Sequence, residues 1–314
     1  MDYILLIVGF VLLVKGADIF VDGSSDIARY FSIPSFIIGL TIVAFGTSAP
    51  EAAVSITAAT TGQNGIAVGN VIGSNLFNLL MVLGACALIK PCPVQPHILK
   101  SEYPLSIIAA LLFIVLALTT LGSGESLYLS RPDGLILLAI FAFFIISTIR
   151  KAIKHPAPDS ADHGKKPSLP KGIVFAVVGL AAVIFGGQLV VDKASAIAAS
   201  FGISQTLIGL TIVAIGTSLP ELVTSIAAAR KGETDIAVGN VIGSNLFNIL
   251  FVLGASVTVH PIRIESVSIY DAWILVAASL LVMAPAIAKK EIRRGWGILF
   301  ILAYLAYSYY IIVR

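Results

Sequence analysis

Long apolar segments separated by short polar stretches follow one another along the whole chain. A helix of about 20 apolar residues crosses a hydrocarbon core of about 30 Å, whereas a transmembrane barrel would show alternating strands of about 10 residues. The pattern therefore predicts an all-α polytopic membrane protein. Its ten expected transmembrane helices cover 3–28, 35–59, 66–89, 104–121, 133–150, 172–198, 205–229, 236–258, 270–288 and 296–313.

One polar stretch is much longer than the others. Residues 151–171 read KAIKHPAPDSADHGKKPSLPK and include four prolines and mixed charge, which is typical of a flexible linker. This linker divides the chain into a first five-span repeat, 1–150, and a second five-span repeat, 172–314. All four histidines fall in loops, and we assign them no role.

Composition supports the membrane prediction. Of the 314 residues, 58% are hydrophobic and 12% are charged, about half the charge of a typical soluble domain. The net charge of +3 gives no reason to expect a nucleic-acid partner. The two cysteines form no metal or disulfide motif, and the acidic start predicts a retained first span instead of a signal peptide.

Basic residues predict the orientation. Fifteen of the 20 Lys and Arg lie in the loops that follow the first, third, fifth, seventh and ninth spans, and three lie on the other side. Because cytoplasmic loops carry the excess of Lys and Arg, we expect the 151–171 linker in the cytoplasm and both termini outside. The predicted location is the cell membrane.

The chain contains two copies of one pattern. Residues 39–59 and 209–229 agree at 15 of 21 positions, and residues 66–85 and 236–255 agree at 18 of 20, both at an offset of 170. Because each half has five spans, an odd number, the second half enters the membrane in the opposite sense. This predicts an inverted repeat with a site near the midplane between the halves.

Glu51 and Glu221 occupy corresponding positions inside two apolar segments. A carboxylate in the bilayer interior costs several kcal/mol unless it is paired, neutralised or hydrated. Neither segment contains a basic partner near the glutamate, and two adjacent carboxylates cannot both stay charged without a cation. The pair therefore predicts a cation site.

Each glutamate follows Gly-Thr-Ser-x-Pro, and proline disrupts the helical hydrogen-bond ladder. We expect backbone carbonyls to be released from that ladder and, together with hydroxyls, to offer the hard oxygen ligands that suit Ca²⁺ and Na⁺. The expected carbonyl donors are those of Ala44, Thr47, Ala214 and Thr217.

The second block supplies further oxygen atoms. Ser74 and Asn78 share one helix face, and Ser244 with Asn248 repeats the pair. The usual role of membrane serines is to bond their own backbone, so the asparagines are the stronger candidates. Small-xxx-small patterns predict close helix packing at Gly69, Gly73, Gly239 and Gly243.

These two blocks, GTSxPE and GNVIGSNLFN, resemble the paired α-repeats of sodium/calcium exchangers in the cation/calcium antiporter superfamily, and the resemblance extends over the whole chain. It implies a short, prokaryotic-type antiporter that exchanges Na⁺ for Ca²⁺ by alternating access and is not an enzyme. The expected partners are Na⁺, Ca²⁺ and the lipid bilayer, with no cofactor and with a monomer as the working unit.

The resemblance also implies roles for individual residues. Glutamates 51 and 221 match the Ca²⁺ ligands. The remaining implied ligands are the carbonyls of Thr47, Thr217, Ala44 and Ala214, the hydroxyls of Ser48, Ser218, Ser74 and Ser244, and the central amides of Asn78 and Asn248. Relatives that require potassium carry Asp at one of the two central positions, so asparagine at both argues against that requirement.

Three alternatives stay open at this point. A proton/calcium exchanger of the same superfamily would carry an acid after the Gly-Asn of the second block, where this chain reads GNVIGSN. A Ca²⁺ channel would not need the repeat architecture. An intramembrane hydrolase would need HExxH or an intramembrane histidine. Asp18, Asp22 and Asp26 share a face of the first span, which we interpret as solvated or entrance-lining.

Overall fold

The computed structural model describes residues 1–119, 127–154, 168–202 and 214–313. Three expectations fall partly outside these ranges. They concern the end of the fourth predicted span, most of the 151–171 linker including both of its histidines, and the start of the seventh predicted span.

The first half is helical almost throughout its described residues. The elements are α1 Asp2–Tyr30, α2 Ser35–Ile38, the π-helical segment π1 Gly39–Val43, α3 Ala44–Thr47, α4 Ala49–Thr60, α5 Asn64–Leu76, π2 Phe77–Val82, α6 Leu83–Ile89, β1 Cys92–Pro93, α7 Pro96–Lys100, α8 Glu102–Thr119, β2 Tyr128–Leu129 and α9 Arg131–Lys154.

The second half repeats this order where it is described. Its elements are α10 Leu169–Ser200, α11 Ala214–Gly216, α12 Leu219–Lys231, α13 Thr234–Leu246, π3 Phe247–Leu253, α14 Gly254–Val259, β3 Ile262–Arg263, α15 Ser266–Lys289, β4 Glu291–Ile292 and α16 Arg294–Val313. The short strands pair antiparallel, β1 with β4 and β2 with β3, so that each pair joins the two halves.

Eight helices within the described ranges are long and apolar enough to cross a membrane. A ninth is added if Ser35–Thr47 and Ala49–Thr60, which meet at a bend of 48°, form one broken span. The prediction of a helical protein with many membrane spans is confirmed. The described part of the seventh predicted span consists of α11 and α12.

Helices α1 and α10 pack closely along their length because glycines face each other. A methyl group added at Gly16 would lie 2.8 Å from Ala182 Cβ, and one added at Gly186 would lie 2.6 Å from Leu13 N. Only glycine permits backbones this close. The two long helices therefore form one tightly packed pair.

Helix α13 lies in the centre of the protein with nearly all its residues buried. Its glycines contact the backbone of the first half, and a methyl group at Gly239 would lie 2.5 Å from Phe36 O. Gly243 packs in the same way against Leu40 and Ala44, so the predicted close packing is confirmed for these two positions. A methyl group added at Gly69 or Gly73 would meet no neighbouring atom within 4 Å among the described residues. The segment that corresponds to π1 in the second half, 209–213, lies outside the described residues.

Candidate ion-binding site

The helix breaks place the two glutamates at equivalent positions. α3 ends at Thr47 and α4 starts after Ser48, with a proline in its first turn. The second half repeats this arrangement, because α12 starts after Ser218 and has Pro220 in its first turn. Glu51 and Glu221 therefore lie in the first turn of a new helix, where the helix N-terminus favours a carboxylate. Their side chains are 0% and 1% exposed.

A serine from the opposite half binds each carboxylate. Ser48 Oγ donates to Glu221 Oε1 at 2.7 Å, and Ser218 Oγ donates to Glu51 Oε1 at 3.0 Å. The two bonds are equivalent, because Ser48 and Ser218, like Glu51 and Glu221, are separated by the repeat offset of 170 residues. These crossed bonds bring both carboxylates to a single region that is buried within the protein.

The two serines of the second block differ in their contacts. Ser74 Oγ lies 3.5 Å from Glu51 Oε1 and 3.1 Å from Ser218 Oγ, so it belongs to the same cluster of oxygen atoms. Ser244 Oγ donates instead to the carbonyl of Ala44 at 3.5 Å. Of the two, Ser74 is thus the one that contacts a glutamate.

The threonine hydroxyls contact side-chain amides of the opposite half. Thr47 Oγ1 donates to Asn240 Oδ1 at 3.1 Å, and Thr217 Oγ1 donates to Asn70 Oδ1 at 3.4 Å. Thr47 is the last residue of α3, and helix-terminal carbonyls lack intrahelical partners. This arrangement is compatible with backbone ligation at Thr47.

The expectation that the Ala44 carbonyl is released from the helix is wrong. It accepts the Ser48 N–H at 3.0 Å and lies near the hydroxyls of Thr47 and Ser244. Pro50 lacks the N–H that would bond the carbonyl four residues earlier, that of Gly46, whereas Ser48 keeps the N–H that bonds Ala44. On the other side, Ala214 is the first residue of the short helix α11.

Asn78 and Asn248 are fully buried at the second position of π2 and π3. Asn78 Nδ2 donates to Asn245 Oδ1 at 3.3 Å, and Asn248 Nδ2 donates to Asn75 Oδ1 at 3.1 Å. Within the described ranges, the Oδ1 atom of each central amide has no hydrogen-bond partner. Segments of π-helix often mark functional positions.

Four buried oxygen atoms of the site thus have no hydrogen-bond partner in the described structure. They are related in pairs by the offset of 170: Glu51 Oε2, Glu221 Oε2, Asn78 Oδ1 and Asn248 Oδ1. Buried polar atoms are normally satisfied. Unsatisfied acceptors without nearby donors are suited to bind a cation.

Sequence reasoning did not identify a second set of asparagines around the site. Asn70 Nδ2 donates to Ser55 Oγ at 2.9 Å and to the Glu51 carbonyl at 3.2 Å. Asn240 repeats these contacts with Ser225 and the Glu221 carbonyl. The signal was available, because these asparagines are polar residues inside apolar segments and are identical in the two blocks.

The acidic face of α1 lies apart from the glutamates and contacts the end of α12. Asp22 is half exposed, and its carboxylate lies 2.6 Å from Lys231 Nζ, which also donates to the Asp18 carbonyl at 2.5 Å. Asp26 pairs with Arg29 at 2.8 Å. This face therefore takes part in ion pairs as well as contacting solvent.

Comparison with known proteins agrees with the sequence resemblance. Residues 1–150 and 171–313 match the family described as sodium/calcium exchanger protein. The inner membrane protein YrbG of Escherichia coli strain K12 is 39% identical over 303 residues, which cover 94% of this chain and 91% of that protein. The sodium/calcium exchanger MaX1 of Methanosarcina acetivorans is 34% identical over 339 residues, which cover 98% of this chain and 97% of that protein.

The fold also matches a solved structure. The sodium-calcium exchanger NCX_Mj, soaked with 10 mM Na⁺ and no Ca²⁺, superposes with a TM-score of 0.85 and is 34% identical, with 97% of each chain covered. The expected family is therefore confirmed. This chain belongs to the sodium/calcium exchanger protein family, a family of membrane transporters that carry out cation/calcium antiport.

Proposed function

We propose that this protein exchanges Na⁺ for Ca²⁺ across the cell membrane by alternating access to a buried site built around Glu51 and Glu221. The observation that carries the proposal is the set of four unpartnered buried oxygen atoms, two carboxylate and two amide. All four belong to hard oxygen ligands of the kind that Ca²⁺ and Na⁺ prefer.

Charge balance favours this assignment. The two carboxylates bring a formal charge of −2, and the amides of Asn78 and Asn248 add none. Removing ions from water is costly unless they are neutralised, so one Ca²⁺ or a set of Na⁺ ions offsets the cost of burying both acids. An occupied site can then move between the two sides of the membrane more readily than an empty one.

The proposed ligand set follows the sequence resemblance. Glu51 and Glu221 lie at its centre, with Ser48, Ser218 and Ser74 in hydrogen-bond contact with them. The remaining members are the carbonyls of Thr47, Thr217 and Ala214, the hydroxyl of Ser244 and the amides of Asn78 and Asn248. The Ala44 carbonyl already accepts the Ser48 N–H, so it would bind an ion only through its second lone pair.

The proposed architecture consists of two inverted five-helix halves, 1–150 and 172–314, joined by the 151–171 linker. Two hydrogen bonds support this, one from Ser48 to Glu221 and one from Ser218 to Glu51. Replacing each residue by its counterpart in the other half turns one bond into the other, as expected around a pseudo-two-fold axis. The excess of basic residues in odd-numbered loops favours a cytoplasmic linker and external termini.

Helices α1 and α10 are the proposed moving pair. Their backbones are in contact at successive glycines, and Asp2 pairs with Lys193 at 3.2 Å between the two helices. Contacts of this kind keep the two helices together as a unit. The pair would slide along the remaining helices, which hold the ion, and expose the site first to one side and then to the other.

Transport in proteoliposomes tests the proposal. Ca²⁺ uptake, followed with ⁴⁵Ca, is expected when an outward Na⁺ gradient is imposed and not when a pH gradient alone is imposed. Uptake driven by the pH gradient without Na⁺ would identify a proton/calcium exchanger instead. Ca²⁺ flux that needs no counter-ion would identify a channel.

A further inference from the structure

Four buried asparagines, two from each half, form one hydrogen-bonded group in the core of the protein. Asn75 Nδ2 donates to the Asn245 carbonyl at 3.2 Å, and Asn245 Nδ2 donates to the Asn75 carbonyl at 3.3 Å. The two residues are 0% and 2% exposed. Each side-chain N–H₂ of this pair therefore has a backbone acceptor in the opposite half.

These two bonds determine which way the Asn75 and Asn245 amides face. Turning either amide around would replace its N–H₂ with an oxygen and place that oxygen against a carbonyl, which is repulsive. Their Oδ1 atoms consequently point to the other members of the group. Asn75 Oδ1 accepts from Asn248 Nδ2, and Asn245 Oδ1 accepts from Asn78 Nδ2.

The orientation of the central amides follows from the same logic. The oxygen and nitrogen ends of an asparagine amide have nearly the same shape, so hydrogen bonds alone decide between them. Because the Nδ2 atoms of Asn78 and Asn248 are engaged by their neighbours, their Oδ1 atoms must face the opposite way. Both oxygens are buried and have no hydrogen-bond partner among the residues that the structure describes.

We propose that Asn75 and Asn245 are positioning residues that hold the Asn248 and Asn78 amides with oxygen, and not N–H₂, toward the bound ion. This inference rests on the proposed Na⁺/Ca²⁺ exchange at the same site. An amide oxygen attracts a cation, whereas an amide N–H₂ in its place repels one, and more strongly when the ion is divalent. Ca²⁺ affinity should therefore depend on two residues that do not touch the ion.

A purely structural role for Asn75 is the competing explanation, because it also bonds the opposite backbone. The pairing pattern separates the two explanations. The side-chain oxygen of Asn75 accepts its hydrogen bond from Asn248, whereas Asn78 donates to Asn245. If Asn75 acts by positioning, the effect of replacing it on Ca²⁺ affinity depends on whether Asn248 is present. A general loss of packing would instead weaken Ca²⁺ binding equally whether Asn248 or Asn78 has been replaced.

The test measures Ca²⁺ affinity of the purified full-length protein by isothermal titration calorimetry. Asn75→Leu is expected to weaken Ca²⁺ binding about tenfold or more. In an Asn248→Ala background the same change should have less than about a threefold effect, and in the matched Asn78→Ala background it should keep its full effect. Equal effects in both backgrounds, or no effect in the wild type, would overturn the proposal.

A milder variant covers the case in which Asn75→Leu fails to fold. Asn75→Ser removes the amide with a smaller change, and the same two backgrounds apply. Asn245→Leu provides the mirrored experiment, with the dependence now on Asn78.

Failure of the inference can be distinguished from failure of the proposed function. If Glu51→Gln and Glu221→Gln both leave Ca²⁺ affinity unchanged, the site itself is misassigned. If they abolish binding while Asn75→Leu has no effect, only the positioning role is wrong.

Discussion

Ser48 and Glu221 belong to different halves of the chain, and a hydrogen bond of 2.7 Å joins them in the buried centre of the protein. Its counterpart joins Ser218 to Glu51. Each glutamate is therefore held by a residue that lies on the other repeat, and neither half can complete its own carboxylate environment.

Loss of the Ser48 hydroxyl is expected to weaken Ca²⁺ binding. A hydrogen bond to a charged group contributes about 1.5–3 kcal/mol, and 1.4 kcal/mol corresponds to a tenfold change in affinity. Ser48→Ala should thus raise the apparent Kd for Ca²⁺ about tenfold or more in the same calorimetric titration. Ser106→Ala is the matched control, since its hydroxyl bonds only the Tyr103 carbonyl of its own helix among described contacts. Equal affinities for the two variants would contradict the role of Ser48.

Neighbouring glycines of α10 offer a test of the close α1–α10 packing. A Cβ at Gly186 would lie 2.6 Å from Leu13 N, whereas one at Gly187 would lie 3.5 Å from its nearest neighbour, Pro220. Overpacking costs about 1–3 kcal/mol. Gly186→Ala should therefore lower the thermal unfolding temperature in detergent clearly more than Gly187→Ala. Similar unfolding temperatures would show that the helix pair tolerates separation.

The ion pair between Lys231 and Asp22 joins the proposed moving pair to α12, the helix that carries Glu221. Sliding of α1 must break it, so Lys231→Met should speed exchange by up to about fivefold, which corresponds to about 1 kcal/mol for an exposed pair. Lys193→Met is the control, because Lys193 pairs with Asp2 inside the moving unit. Initial ⁴⁵Ca exchange rates compare the two variants, and a slower Lys231→Met protein would argue against this motion.

Orientation in the membrane can be checked with a membrane-impermeant thiol reagent on intact cells. Gln63→Cys, in the exposed turn after α4, should react from outside, whereas Ser160→Cys in the linker should react only after permeabilisation. Background from the native cysteines should be low, since both are buried and burial raises the pKa of the Cys92 thiol to about 12. Labelling in the reverse pattern would invert the proposed topology.

Much of the site was predictable because the chain is duplicated. The repeat aligned Glu51 with Glu221, and the free-energy cost of burying two acids predicted that both belong to one cation site. The length of the apolar segments also predicted the membrane helices. Most of their described ends lie within a few residues of the predicted ones.

Other features depend on contacts that a pattern along the chain does not reveal. The π-helical segments at Phe77–Val82 and Phe247–Leu253 contain no proline or other breaker, so no local sequence signal predicts them. The Ala44 carbonyl keeps its helical bond, since its donor is the N–H of Ser48 and not that of the proline position. Asn75 and Asn245 bond backbone atoms of the opposite half, which only the packed structure brings within reach.

The central claim is that one ion contacts both glutamates. Anomalous diffraction from crystals grown with Ca²⁺ tests it most directly. The account predicts one strong peak within about 2.3–2.6 Å of a carboxylate oxygen of Glu51 and of Glu221. A peak beside only one of them, or a Ca²⁺ ion bound elsewhere with this region empty, would contradict it.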